Sequence, residues 1–130
     1  MAPMQGSEAS IAVLPAWNLA GASLSPLGSG LINSTWLVSN GAHRYVLQQV
    51  NPVFPPEIHE DIRVVTIHLR AQGLVAPELL PTTDGRWWVE DAGRVFRLMT
   101  CVDGVSRDRL ADPAEAREAV ALLARFHRAL

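Results

Sequence analysis

Gly28-Ser29-Gly30 stands where an apolar stretch, Leu24 to Leu27, runs into the alternating Ile32, Trp36 and Val38. Glycines in such a turn let backbone amides approach phosphate oxygens with no Cβ in the way, although a plain hairpin turn uses the same residues. The other reactive side chains are sparse. All basic residues are arginine, 11 in number, which excludes a Schiff-base lysine, a lysine general base and the lysine of a phosphate-binding Walker loop. The single Cys101 forms no intramolecular disulfide, and with four dispersed histidines it makes no zinc pattern of usual spacing. Trp87-Trp88 and Glu90-Asp91 are adjacent pairs, and neighbours on a strand point to opposite faces, so at most one tryptophan belongs to a core and the two acids form no glycosidase pair.

These residues lie in a chain of 130 residues with a formal charge of -2 and a mean hydropathy of +0.13, enough for one cooperative unit and too little for two cores. That charge draws the chain neither to nucleic acid nor to an anionic membrane. No apolar run is long enough to span a bilayer, and the first basic residue is Arg44, so a positively charged leader is absent from the expectation. A cytoplasmic, reducing setting is expected.

The elements follow from punctuation and period. Residues 1–16 begin small and polar and read as a flexible segment. Asn40-Gly41 before Tyr45, Val46 and Leu47 is a hairpin signal, with both central residues expected at positive φ. Prolines 52, 55 and 56 precede a helix from about Glu57, along which Ile58, Ile62, Val65 and Leu69 form the apolar stripe and Gly73 the left-handed stop. Leu79-Leu80, Trp87 to Glu90 and Val95 to Cys101 read as further strands, the first two joined across Thr83-Asp84-Gly85. Asp112, Pro113 and Glu115 have the spacing of a capped helix start, and the apolar positions from Ala116 through Phe126 to Leu130 meet no stop signal. The chain is therefore expected to end inside a helix, as a truncated reading frame or fragment would.

Strand, glycine turn, strand, tight turn, strand and helix is the order of parts in the nucleotide-binding lobe of protein-kinase-like enzymes. Leu27-Gly28-Ser29-Gly30-Leu31-Ile32-Asn33-Ser34-Thr35, the strand end Tyr45-Val46-Leu47-Gln48-Gln49-Val50-Asn51, and Ile62 to Leu69 resemble the aminoglycoside phosphotransferase and choline kinase superfamily, most of all its N-acetylhexosamine 1-kinase branch. The tail Leu123 to Leu130 is similar to that superfamily's first helix beyond the hinge. Leu31 departs from the branch, where a histidine is common.

The resemblance implies an α+β fold: a protein-kinase-like N-terminal lobe over residues 17–104, with a five- to six-stranded, mostly antiparallel sheet, one packed helix and a hinge. Residues 105–130 would begin a C-terminal lobe. It implies ATP as phosphate donor and magnesium held by carboxylates of the missing C-terminal lobe. The acceptor would be a small-molecule hydroxyl, on a sugar or amino-sugar. The nucleotide would meet Gly28, Ser29, Gly30, Asn33 and Thr35, and at the hinge Met99, Thr100 and Cys101. Gln48 takes the place of the phosphate-gripping lysine; its amide donates hydrogen bonds but no charge, and a polar residue on a sheet surface is the alternative. Asp61 would pair with Gln48, since on a helical wheel it lies about 40° from Val65; a helix-dipole role is the alternative there. His127 reads as a packed histidine. Alone, without catalytic base or metal carboxylates, the chain is expected to be inactive. Two rivals stand beside the kinase reading, a non-catalytic nucleotide- or protein-binding module and a β-rich interaction domain.

Overall fold

The computed structural model describes residues 2–28, 32–105 and 109–130. Five strands form one antiparallel sheet: β1 (Ser23–Pro26), β2 (Ser34–Asn40), β3 (His43–Val50), β4 (Val89–Asp91) and β5 (Arg94–Thr100), in the order β1-β2-β3-β5-β4. Helices α1 (Ala2–Val13), α2 (Ile58–Ala71) and α3 (Pro113–Ala129) complete the chain, which is the kinase-like N-terminal lobe expected, with α3 beyond it.

Register decides what each face of the sheet carries. Trp36 and Val38 lie opposite Leu47 and Tyr45, and Leu47 lies opposite Leu98, so these side chains share one face with Phe96. That face is the core: Val38, Leu47 and Phe96 are each 0% exposed. Burial of such side chains stabilises by roughly 1.5–3 kcal/mol each.

The N-terminal segment covers this face, and here the structure corrects the expectation of a flexible 1–16. Helix α1 runs into a 3₁₀ turn, Leu14–Trp17, and Ala9, Val13, Leu14 and Trp17 join the core cluster. The Trp17 indole donates to the Leu80 carbonyl at 3.0 Å, and the Thr83 amide donates to the Ala16 carbonyl at 2.9 Å. Ala9, Val13 and Trp17 recur at the four-residue spacing of one helix face; small residues and an early proline mask that period in the sequence.

Turn chemistry also differs from the expectation. Asn40 pairs with His43, so the β2–β3 loop is Gly41-Ala42, and of its two residues only Gly41 has positive φ, at 63°. That is the pattern of a type II′ turn. The loop with both central residues at positive φ joins β4 to β5: Ala92 at 51° and Gly93 at 78°. Leu79-Leu80 is no strand but a bridge, Leu79 opposite Met99, and the Trp87-to-Glu90 strand contracts to β4. Both tryptophans therefore precede the regular pleat, and strand alternation does not separate them.

Helix α2 starts after Glu57 and ends before Gly73, whose φ of 83° allows the Leu74 amide to donate back to Leu69 at 3.0 Å. Its buried side is rotated from the expected stripe. His59 is 0% exposed whereas Val65 is 40% exposed, because His59 stacks on Trp88 at 5.4 Å and Arg63 lies over the Trp87 ring at 3.8 Å. Leu69 of the expected stripe is buried as well, at 7% exposed, so aromatic and cation–π contacts act beside the aliphatic residues in seating the helix. Helix α3 has its expected N-cap: Asp112 accepts from the Glu115 amide at 2.9 Å, while the Glu115 carboxylate reaches back one residue further than the cap and accepts from the Ala111 amide at 2.5 Å.

Candidate nucleotide cleft

The face of the sheet opposite the core carries two rows that cross three strands. Leu37, Val46 and Met99 lie side by side, forming an apolar row. One step further along, Thr35, Gln48 and Arg97 form a polar row. The apolar row floors a cleft of about 590 Å³, closed on its sides by Leu27 and Gly28 at the end of β1 and by Thr100 to Val105 after β5. A flat apolar floor bordered by the segment that leaves β5 suits a heteroaromatic ring, and the volume is that of an ordinary small-molecule site. Arg44 lines the same cleft and donates to Asp103 at 2.9 Å, clasping β3 to the segment after the hinge.

Polar contacts bind the second row together. The Gln48 side-chain amide donates to the Thr35 hydroxyl at 3.1 Å, and its oxygen accepts from Arg97 Nε at 3.0 Å and Nη2 at 2.8 Å. Burial lowers the Arg97 guanidinium from its ordinary value. It nevertheless stays protonated near neutral pH. Behind it, burial is the main cause that lowers the His59 pKa, with the nearby Arg97 charge adding to it and the Pro56 hydrogen bond opposing. His59 Nδ1 is 2.7 Å from the Pro56 carbonyl, so Nδ1 carries the proton and donates, while Nε2 is buried with no hydrogen-bond partner among the described residues.

Several of the residues expected at the site come together. Gly28, Met99, Thr100 and Cys101 line the cleft, and Thr35 and Gln48 stand beside it. Gly28 has a φ of 68° and open space where a Cβ would lie, so conformation is what requires glycine there. Thr100 is tied on its outer side, its hydroxyl accepting from the Glu78 amide at 2.9 Å. Ser29 and Gly30 lie outside the described residues. Asn33's side-chain oxygen accepts from the Asn51 amide at 2.8 Å, pinning the loop before β2 to the end of β3. The expected Gln48–Asp61 pair is absent among the described contacts. Asp61 is exposed, on the same side of α2 as Val65, because the helix is turned to bury His59.

Arg97 and His59 were not among the expected site residues. Arg97 had a signal available, since it stands two positions before Met99 and therefore shares its face, but its neighbour across the strand is set by register. His59 had none, as its burial depends on the tryptophans after the next loop. A further recess, of about 370 Å³, lies between Glu60 in the first turn of α2 and Trp87.

The group MgATP requires carboxylate ligands for its metal. Among the described residues no group of three or more His, Cys, Asp or Glu is placed to hold a metal ion, so these residues do not by themselves make a magnesium site.

Comparison with known proteins bears on the same segment. Residues 23–130 match the phosphotransferase enzyme family. A microcompartment-associated aminopropanol kinase superposes with a TM-score of 0.72 at 22% identity, over 94% of this chain and 40% of that one. An aminoglycoside phosphotransferase from Alicyclobacillus acidocaldarius gives 0.66 at 19% identity, over 91% of this chain and 34% of that one. A spectinomycin phosphotransferase, solved with ADP and spectinomycin, gives 0.53 at 8% identity, over 74% and 29%. The chain spans two-fifths or less of the length of these structures.

Proposed function

The chain belongs to the phosphotransferase enzyme family, and from that premise we propose that it is the ATP-binding lobe of a kinase that transfers the γ-phosphate to a hydroxyl of a small molecule. The observation that carries the proposal is the pair of rows: Leu37, Val46 and Met99 as a shelf for adenine, bordered by Cys101 to Val105, and Thr35 and Gln48 one step away where phosphates extend. Transfer needs positioning and charge neutralisation more than covalent help. This lobe supplies the first and part of the second.

The acceptor we propose is a sugar or amino-sugar, on the likeness of the Gly28-to-Thr35 and Tyr45-to-Asn51 segments to N-acetylhexosamine 1-kinases. The cell compartment we propose is the cytoplasm. Because the resemblance places the general base and metal ligands in a C-terminal lobe, and no group of three or more His, Cys, Asp or Glu among the described residues is placed to hold a metal, the 130-residue chain is expected to bind nucleotide without turning it over. Calorimetry with magnesium ATP, paired with a phosphorylation assay on N-acetylhexosamines, tests this. Saturable binding with background turnover is expected; no heat of binding at millimolar nucleotide contradicts the nucleotide reading, and turnover well above background contradicts the division of labour.

A further inference from the structure

We propose that Arg97 is the cation that meets the nucleotide's phosphate oxygens, with Gln48 as its positioning residue, an inference that rests on the nucleotide cleft described above. The phosphate-facing charge would then sit on β5, one strand over from the glutamine.

The first support is a mismatch of charge. Taking a cation out of water is costly unless an anion or several acceptors receive it. Arg97 is half-buried, and its protein partner among the described residues is the neutral amide oxygen of Gln48. No carboxylate pairs with it there, whereas Arg44, Arg63, Arg70 and Arg86 each have one. Asp61 on α2, the acid expected to pair with this row, is exposed and has no hydrogen bond to it among the described contacts. The other side chain behind it, His59, has its proton on the Pro56 side and is kept neutral by burial, so it adds no anion.

Direction is the second support. Gln48 Oε1 accepts from Nε and from Nη2, which fixes the plane of the guanidinium along the sheet. Nη1 and the second Nη2 hydrogen remain to donate. Their spacing is the fork that matches two oxygens of a phosphate, a geometry a lysine lacks. Gln48 is itself held by the Thr35 hydroxyl, so a chain of contacts, Thr35 to Gln48 to Arg97, sets the angle. The row lies two residues along the strands from the apolar shelf, roughly 7 Å, a reach suited to phosphates following a ring and its ribose.

The experiment compares ATP with adenosine, both without magnesium and in the presence of EDTA, by calorimetry on the 130-residue chain. Wild type is expected to prefer ATP by about tenfold or more, the size of one or two charge-assisted hydrogen bonds. Arg97→Met should collapse the preference to about twofold or less while adenosine affinity stays. Gln48→Glu serves if Arg97→Met fails to fold: it keeps size and pairs the arginine internally, and should abolish the same preference. Placing the charge on β3 in the double variant Arg97→Met/Gln48→Lys should restore it. An ATP preference unchanged in Arg97→Met or in Gln48→Glu, or no preference in wild type with adenosine still bound, overturns the role of Arg97 and leaves the cleft standing. Failure of wild type to bind either compound overturns both.

Discussion

His59 is a buried histidine whose ring is held toward the neutral form by burial, with its second nitrogen left without a hydrogen-bond partner among the described residues. Its folded pKa is lowered from 6.5, chiefly by burial. Stability linked to this group is therefore complete above pH 6.5, where folded and unfolded rings are both neutral, and is lost as pH falls from there through the lowered folded value. Urea denaturation at pH 7.5 and pH 5.5 should show a drop for wild type that shrinks in His59→Phe, which retains a ring for Trp88 to stack on; the same drop in both would contradict it. Asp61→Asn should change stability by less than about 0.5 kcal/mol, as for most exposed surface substitutions, and a large loss by chemical denaturation would restore the pairing with Gln48. At this scale the resemblance of the segment to a hinge pointed to Met99, Thr100 and Cys101, which line the cleft at the end of β5. The sequence concealed Arg97, because a residue's partner across a sheet depends on register, and it misdirected Asp61, because aliphatic periodicity ignores a histidine and an arginine seated on tryptophans.

Elements with local punctuation were legible: α2 between its prolines and Gly73, α3 with its Asp112 N-cap, and the β2–β3 hairpin within a residue of its loop. Elements that exist through tertiary contact were not. Helix α1 is stabilised by laying Val13, Leu14 and Trp17 on the sheet, and the Leu79 bridge depends on Met99 from a strand twenty residues away. The two accounts of the N-terminus predict different mutants. Leu14 is 1% exposed, so Leu14→Ala should cost about 2–5 kcal/mol and lower the urea midpoint correspondingly. A midpoint unchanged from wild type would mean that the segment is frayed in solution.

Across the whole molecule, one face is finished and another is open. The core face is closed by α1, while α3 buries none of its residues and leaves Leu122 and Leu123 51% and 53% exposed beside a groove with Leu69, Val75 and Phe126. A net charge of -2 gives little repulsion to keep such surfaces apart. Sedimentation should show concentration-dependent association that weakens in Leu122→Glu/Leu123→Glu; a monomer at all concentrations would contradict this. The central claim, that the second face of the sheet is a nucleotide site, is tested most directly by amide chemical-shift mapping with ATP. The account predicts shifts concentrated at Gly28, Leu37, Val46 and Met99 to Cys101; shifts confined to the recess around Glu60 and Trp87, or none at saturating ATP, would contradict it.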